Sequence, residues 1–357
     1  MAKEPTVSVA LCTYNGSRYI EGQLRSIMDQ TYPPEEIVVC DDGSTDGTCD
    51  LVEAFGRGYP DRMKLLRNPT NIGRNNNFSQ AISLCSGDII VLSDQDDIFL
   101  PRKIEILRNE LIVRPNCGLV FSNAAVADSN LNIIGGDLFR TIWPPFTRRR
   151  QRLLKQGRVL EVLVRNSPAI GCSIAFRSSL KDYILPIPGE FSHDVWIMAI
   201  AGLFSDIGFV HDKLVLYRQH NENLAGVQVG IFNKLKKRMR GDASIYYSEI
   251  VHSIKCWEAL RDRLVHLRAE YCLDATTSMQ AMFWVDGKIK YLNARRLIRH
   301  KDIPLPNKMA KAIYLIASRQ YRIFGRGPYS LLRDLAAMYL CLRERVLAKI
   351  SKDAWDS

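Results

Sequence analysis

Leu92–Pro101 reads LSDQDDIFLP, and these ten residues carry the chain out of a strand and towards a helix. Just upstream, Asp88-Ile89-Ile90-Val91-Leu92 is a short apolar run of the kind that fills a buried strand. It ends on Asp94, Asp96 and Asp97, three carboxylates within four residues. Carboxylates that close repel one another and resist desolvation, so a positive partner belongs beside them. Hard oxygen donors at a strand end suit a divalent cation, Mg2+ or Mn2+, which takes few protein carboxylates and fills its shell with water and substrate phosphates. A plainer reading makes the same acids an acidic turn capping the helix that Pro101 begins.

The stretches before it repeat one pattern. Val7–Thr13 (VSVALCT) reads as a buried strand closed by the turn residues Tyr14-Asn15-Gly16. Ser17 is placed to cap a helix whose apolar positions are Ile20, Leu24, Ile27 and Met28, and Tyr32-Pro33-Pro34 stops it. Ile37–Cys40 is a second buried strand running into Asp41-Asp42-Gly43-Ser44. A helical stretch (Cys49–Phe55), a strand (Met63–Arg67), the loop Asn71–Asn75 with Arg74, and a helix bearing Phe78, Ala81, Ile82 and Leu84 lead to the opening strand. Strands alternating with helices of this length predict an α/β fold, a mainly parallel sheet with right-handed crossovers and helices on both faces. All strand C-termini then share one edge, where open α/β sheets bind ligands. That edge collects Thr13-Tyr14-Asn15, Asp41-Asp42 and Asp94–Asp97. Neither GxGxxG nor GxxxxGK[ST] occurs, so no dinucleotide fingerprint or P-loop is supported. Turn chemistry accounts for one acid in Asp41-Asp42 but not for two in succession.

Composition narrows the classes. The 357 residues allow two domains, and a hydrophobic content of 46% is enough for a substantial core. Nine scattered cysteines, odd in number and without a CxxC pair, argue for free thiols in a reduced, cytosolic setting and against zinc. No signal-peptide pattern opens the chain, and the longest apolar run, Val195–Phe204, is half a membrane span. Charge is uneven: residues 231–357 hold 25 Lys/Arg against 12 Asp/Glu, whereas residues 1–230 hold 24 against 26. The expected division is therefore 1–230, with halves 1–101 and 102–230, followed by a basic region 231–357.

Four segments carry a family resemblance: VSVALCTYNGSRYIEGQLRSIMDQTYP, IVVCDDGSTDGT, NIGRNNNFSQAI and DIIVLSDQDDIFLP. In order and spacing they resemble the inverting glycosyltransferases of family 2, which have a GT-A fold. The resemblance implies Thr13 and Asp42 at the nucleoside, with Tyr14, Asn15, Arg74 and Asp94 also lining the nucleotide site. It makes Asp94-Gln95-Asp96 the DxD-type motif, with Asp96 the more direct metal ligand. SDQDDIF together with YRQHNENLAG is similar to bacterial rhamnosyltransferases of surface polysaccharide assembly, which implies dTDP-L-rhamnose as donor and a saccharide or polyprenyl-linked saccharide as acceptor. A UDP-sugar donor within the same family is the alternative.

Further along, Asn116–Val126 and Asn132–Gly136 are strand-like, and Trp143–Arg158 is a Pro- and Arg-rich loop passing into a helix. Its charge suits a phosphorylated ligand and equally a solvated face. Ile170–Arg177 reads as a strand. Phe191–Met198 sets His193-Asp194 before an apolar helical run, where Ser192 or Asp194 would serve as a cap. The resemblance instead makes Asp194 the general base, with His193 where the family often has Glu. Leu214–Tyr217 is a further strand leading to Arg218, which could contact a diphosphate, and to His220, a candidate third metal ligand. Beyond Ile231, FNKLKKRMR, IKCWEALRDRLVHLR, ARRLIRHK and LLRDLAAMYLCLRERVLAKI read as basic amphipathic helices. They suit an anionic membrane surface or a solvated bundle; no nucleic-acid module is recognisable, and nucleic acid is not expected as a partner.

Two rivals to the transferase stand. A nucleotidyltransferase would carry a Gly-rich, Lys-bearing N-terminal loop, which Thr13–Gly16 lacks. A non-catalytic nucleotide-binding or membrane-scaffold protein would use the acidic edge only as polar structure.

Overall fold

Every side chain of β1 (Val7–Thr13) is buried, as a parallel strand covered on both faces requires. In the computed structural model, which describes residues 4–142, 144–220, 243–271 and 273–353, this strand is the centre of a nine-stranded sheet. α1 (Ile20–Met28), β2 (Glu36–Asp41), α2 (Thr48–Gly56), β3 (Met63–Arg67), α3 (Arg74–Leu84) and β4 (Ile89–Asp94) follow in turn. β1 pairs in parallel with β2 and β4, and β2 with β3. Next come β5 (Ile98–Phe99), α4 (Lys103–Val113), β6 (Cys117–Ala127), β7 (Ile133–Asp137), α5 (Leu138–Thr141), α6 (Arg148–Lys155) and α7 (Val159–Leu163). β8 (Ile174–Arg177), α8 (Lys181–Ile184), α9 (His193–Phe204) and β9 (Asp206–Arg218) complete this part. The strand order is β3-β2-β1-β4-β8-β6-β9-β5, with β7 on β6. Val9, Leu11, Leu24, Ile37, Val39, Val91 and Ile104 fill its core.

Two pairings build the functional edge. The β1 register sets Thr13 opposite Asp41 and Cys12 opposite Asp94, so the acidic strand ends lie side by side. β5, only two residues long, pairs antiparallel with the end of β9, Ile98 opposite Leu216. That small bridge brings Arg218 and His220 back onto the Asp94–Asp97 turn.

The α/β class and the four parallel N-terminal strands are as the sequence predicts. Three local readings need correction. α1 starts at Ile20 with Tyr19 before it and no side-chain cap; the Ser17 N–H instead meets Asp46 Oδ2 at 3.0 Å. The strand expected over Ile170–Arg177 is only Ile174–Arg177, because Gly171–Ser173 forms a 3-10 turn. β9 runs for thirteen residues rather than four. Its exposed centre, His211-Asp212-Lys213, breaks the apolar pattern where the β6 pairing shifts register.

The chain divides into two compact units, Met1–Leu163 with Ser167–Val227, and Val164–Asn166 with Gln228–Ser357. The second is helical among the described residues: α10 (Ala243–Glu270), α11 (Ala275–Arg299), α12 (Leu305–Ala317), α13 (Gln320–Ile323) and α14 (Pro328–Asp353). Its centre is ionic. Asp334, fully buried, accepts from Arg295 Nε at 2.7 Å, Arg299 Nε at 2.7 Å and the Tyr321 hydroxyl at 2.8 Å. Burial works against its charge, but the two guanidinium groups outweigh that and hold its carboxyl below the ordinary range. The FNKLKKRMR and NENLAG segments lie outside the described residues. No described helix is long and apolar enough to cross a membrane.

Candidate active site

The edge is assembled from backbone bonds before any ligand is considered. Asp41 and Asp42 both serve turns, which corrects the argument that a turn explains only one of them. Asp41 accepts from the Thr13 hydroxyl at 2.7 Å and from the Ser44 N–H at 2.8 Å. Burial opposes its charge, yet these bonds prevail and keep its carboxyl below the usual range. Asp42 accepts from the Ile72 N–H at 2.7 Å and the Gly73 N–H at 3.0 Å. Two acids in succession are thus each hydrogen-bonded from different directions, and Asp42 fixes the loop that delivers Arg74. Thr13 is buried behind Asp41, whereas Tyr14 projects into solvent. Asn15, at φ 48°, accepts from the Thr45 N–H at 2.9 Å and donates its own N–H to Ser44 Oγ at 2.8 Å.

Gln95 joins this loop to the end of β4. Its Oε1 accepts the Tyr14 N–H at 2.7 Å, and its Nε2 donates to the Tyr14 carbonyl at 3.0 Å. A Cβ at Gly16 would lie 2.2 Å from Gln95 Oε1 and would displace that side chain from Tyr14. The middle residue of the DQD triplet therefore acts as a clamp between the two loops.

Around it the acids are poorly compensated. The Asp94 carboxyl is pushed up to about 7 by burial and by Asp96, with Asp194 adding to the effect and Arg74 and Lys103 opposing it. Asp97 is raised further by burial and by both neighbours. Its Oδ1 accepts the Arg218 N–H at 3.0 Å, and the Cys172 thiol lies against the same carboxylate. Lys103 is buried beneath, donates to the Cys172 carbonyl at 2.6 Å, and is drawn down to about 7 by desolvation. Asp96 Oδ2 lies 2.7 Å from His220 Nε2, and the His220 ring rests 4.9 Å from the Tyr19 ring. Arg218 donates Nε to the Asp96 carbonyl at 2.6 Å and Nη1 to the Ser129 carbonyl at 2.7 Å, and so shapes the turn.

Which donors could hold a cation follows from this chemistry. Asp94, Asp97 and Cys172 offer ligand atoms within 4.8 Å of one another. Cys172 is a soft ligand whose thiol burial raises far above its ordinary value, and Asp97 is partly committed to Arg218. Asp96 and His220, 2.7 Å apart, stand outside that group, so the structure does not gather the expected trio Asp94, Asp96 and His220; Asp94 and Asp96 offer the hard oxygen donors, and their like charge fits a divalent cation.

Asp194 stands in the first turn of α9. One of its oxygens, Oδ1, accepts from Ser192 Oγ at 2.5 Å and from the Val195 N–H at 2.8 Å, which aims the carboxylate. The loop before it is tied to α3 by Asn75, whose Nδ2 donates to the Pro188 carbonyl at 2.6 Å and also to Phe191. His193 is buried and stacked 4.0 Å from the Phe78 ring, also on α3. Desolvation lowers it to about 4, so it is neutral near pH 7. Nothing in the spacing of the sequence marks Gln95, Asn75 or Lys103, because their partners are backbone groups as many as 116 residues away.

The sheet order and the acidic strand edge together are those of the GT-A fold. Residues 8–180, just under half of the chain, match the family model Glycosyl transferase family 2. The dTDP-rhamnosyl transferase RfbG of Shigella flexneri is 28% identical over 240 residues, 64% of this chain and 77% of the relative. The putative glycosyltransferase EpsE of Bacillus subtilis is 37% identical over 105 residues, 29% of this chain and 38% of the relative. S. aureus TarS 1–349 in complex with UDP superposes at a TM-score of 0.55 and 17% identity, covering 94% of this chain and 90% of that one. The mannosyltransferase PcManGT of Pyrobaculum calidifontis, in complex with GDP-Man and Mn2+, gives 0.52 at 18%, covering 96% and 88%. At such identities the two structures speak for the fold alone.

Proposed function

We propose that the protein is an inverting, metal-dependent glycosyltransferase of polysaccharide synthesis. In this reading it moves L-rhamnose from dTDP-L-rhamnose to a hydroxyl of a saccharide or polyprenyl-linked saccharide. The observation that carries the reading is the under-compensated acid cluster at the end of β4, within electrostatic reach of both Arg74 and Asp194. Buried charge of one sign is costly unless a ligand answers it, and such sites are where function concentrates.

The nucleoside rests against Thr13, Tyr14, Asn15 and Asp42, on loops that Gln95 holds at a fixed spacing. Asp94, Asp96 and His220 would hold Mg2+ or Mn2+, which would supply positive charge to the diphosphate leaving group. Arg74 supplies a further positive charge beside Asp94. Asp194, with Oδ1 fixed by Ser192 and Val195, uses its other oxygen to take the proton of the acceptor hydroxyl. Attack from the face opposite the nucleotide inverts the anomeric centre, so a β-linked donor gives an α-rhamnoside. Direct displacement needs no enzyme nucleophile.

The rhamnose donor is supported by RfbG, whose name carries that activity. UDP and GDP-Man in the two structural neighbours make other nucleotides the alternative. The test is nucleotide release from dTDP-L-rhamnose, UDP-glucose and GDP-mannose, with Mn2+ or with EDTA. Metal-dependent release of dTDP, abolished in Asp96→Asn, is expected. Release from another donor alone would move the assignment to that sugar, and release from none would remove the transferase reading.

A further inference from the structure

Helix α12 is turned the wrong way for a helix of a water-exposed bundle. It buries Lys308, Ala312 and Leu315 and leaves Met309, Ile313, Tyr314 and Ile316 exposed at 50%, 61%, 54% and 50%. Met309, Ile313 and Ile316 follow i, i+4, i+7 spacing, so they stand on one face. A soluble helix keeps its apolar stripe inward. α14, which packs against α12, likewise exposes Leu332, Leu335, Tyr339 and Leu342 at i, i+3, i+7, i+10 spacing. A set of large apolar side chains this size marks an interaction surface.

Charge selects the occupant. From Ile303 to Arg333 the chain carries six Lys/Arg and no Asp or Glu. Arg319 and Arg322 face solvent, and Lys311 places Nζ 5.6 Å from the Tyr314 ring centre at the edge of the apolar face. A second copy of the chain would set the same cations against one another across a two-fold axis, with no acid in this stretch to answer them. An anionic lipid surface meets both demands, since aliphatic and tyrosine side chains enter the headgroup boundary while flanking cations meet phosphates.

We propose that α12, with the exposed stripe of α14, docks the helical unit on an anionic membrane surface. The docking element is thus an apolar face with cationic flanks. This goes beyond the transferase reading and does not depend on it.

The experiment is flotation of the full-length protein with vesicles of phosphatidylcholine, alone or with about a third phosphatidylglycerol. The protein should float with the anionic vesicles and remain behind with the neutral ones. Ile313→Glu/Ile316→Glu should lower binding at least about tenfold, and Lys311→Glu several-fold. Both positions are exposed, so circular dichroism and melting should match the parent. Ile133→Glu, at an exposed apolar position of β7 in the other unit, should bind as the parent does. No flotation with anionic vesicles would overturn the proposal, as would undiminished binding by the double variant. So would a parental dimer in sedimentation that the double variant converts to monomer.

Discussion

Each unit of this protein buries acid, and the two treat it in opposite ways. In the helical unit a single carboxylate, Asp334, receives two guanidinium groups and a phenol, and its ionised form is stabilised. At the end of β4, Asp94 is opposed only in part by Arg74 and Lys103, Asp96 meets His220 and Asp97 the Arg218 N–H, and both Asp94 and Asp97 are pushed towards the neutral form. The same ingredients are complete in one place and incomplete in the other. A completed ion cluster specifies packing; an incomplete one, kept at the C-terminal edge of a sheet, waits for a charged ligand.

Breaking the incomplete cluster should cost activity, and breaking the complete one should cost stability. Asp194→Asn is expected to lower turnover by about 100- to 10,000-fold with folding intact, read from initial rates and melting curves. Asp334→Asn should destabilise the helical unit by about 3–5 kcal/mol, because Arg295 and Arg299 would be left buried without their anion. Denaturant titration followed by circular dichroism measures it. Asp97→Asn, in EDTA and without nucleotide, should leave the melting temperature unchanged or raise it, since its charge is disfavoured in the fold. A lower melting temperature there would erase the contrast between the two clusters.

His193 sharpens the comparison through pH. Its folded value, about 4, lies below the ordinary 6.5, so between those values the unfolded chain binds the extra proton. Stability therefore falls as pH drops from 6.5 to 4, by at most about 3 kcal/mol. His193→Phe should flatten that slope in melts taken across the window. The smallest effect is expected for Asn75→Ala, which releases the loop before Asp194 and should cost about 1–2 kcal/mol in transition-state stabilisation, read from kcat/KM.

Much of this was legible in the chain itself. Runs such as VSVALCT and IIVLSD are apolar throughout because parallel strands are covered on both faces, so strand positions and the acidic edge could be read directly. Asp94, Asp96 and His220 can be singled out at element boundaries, whereas Asp194 reads locally as a helix cap and is singled out only by the family resemblance. What could not be read was how side chains reach backbone far away in sequence. Asp42 binding the amides of Ile72 and Gly73, Gln95 clamping Tyr14, and Asn75 holding the Pro188 loop leave no local pattern. The thirteen-residue β9 was masked by its polar centre, and the outward apolar face of α12 by the fact that periodicity gives a stripe without saying which way it points.

The most direct measurement of the central claim is the melting temperature of the protein with dTDP and UDP, each with Mn2+, with Mg2+ and with EDTA. Ligands that bind only the folded state raise its stability by mass action. The account predicts a rise with a nucleoside diphosphate that requires the metal and disappears in Asp96→Ala. A rise of equal size in EDTA, or one that Asp96→Ala retains, would contradict it.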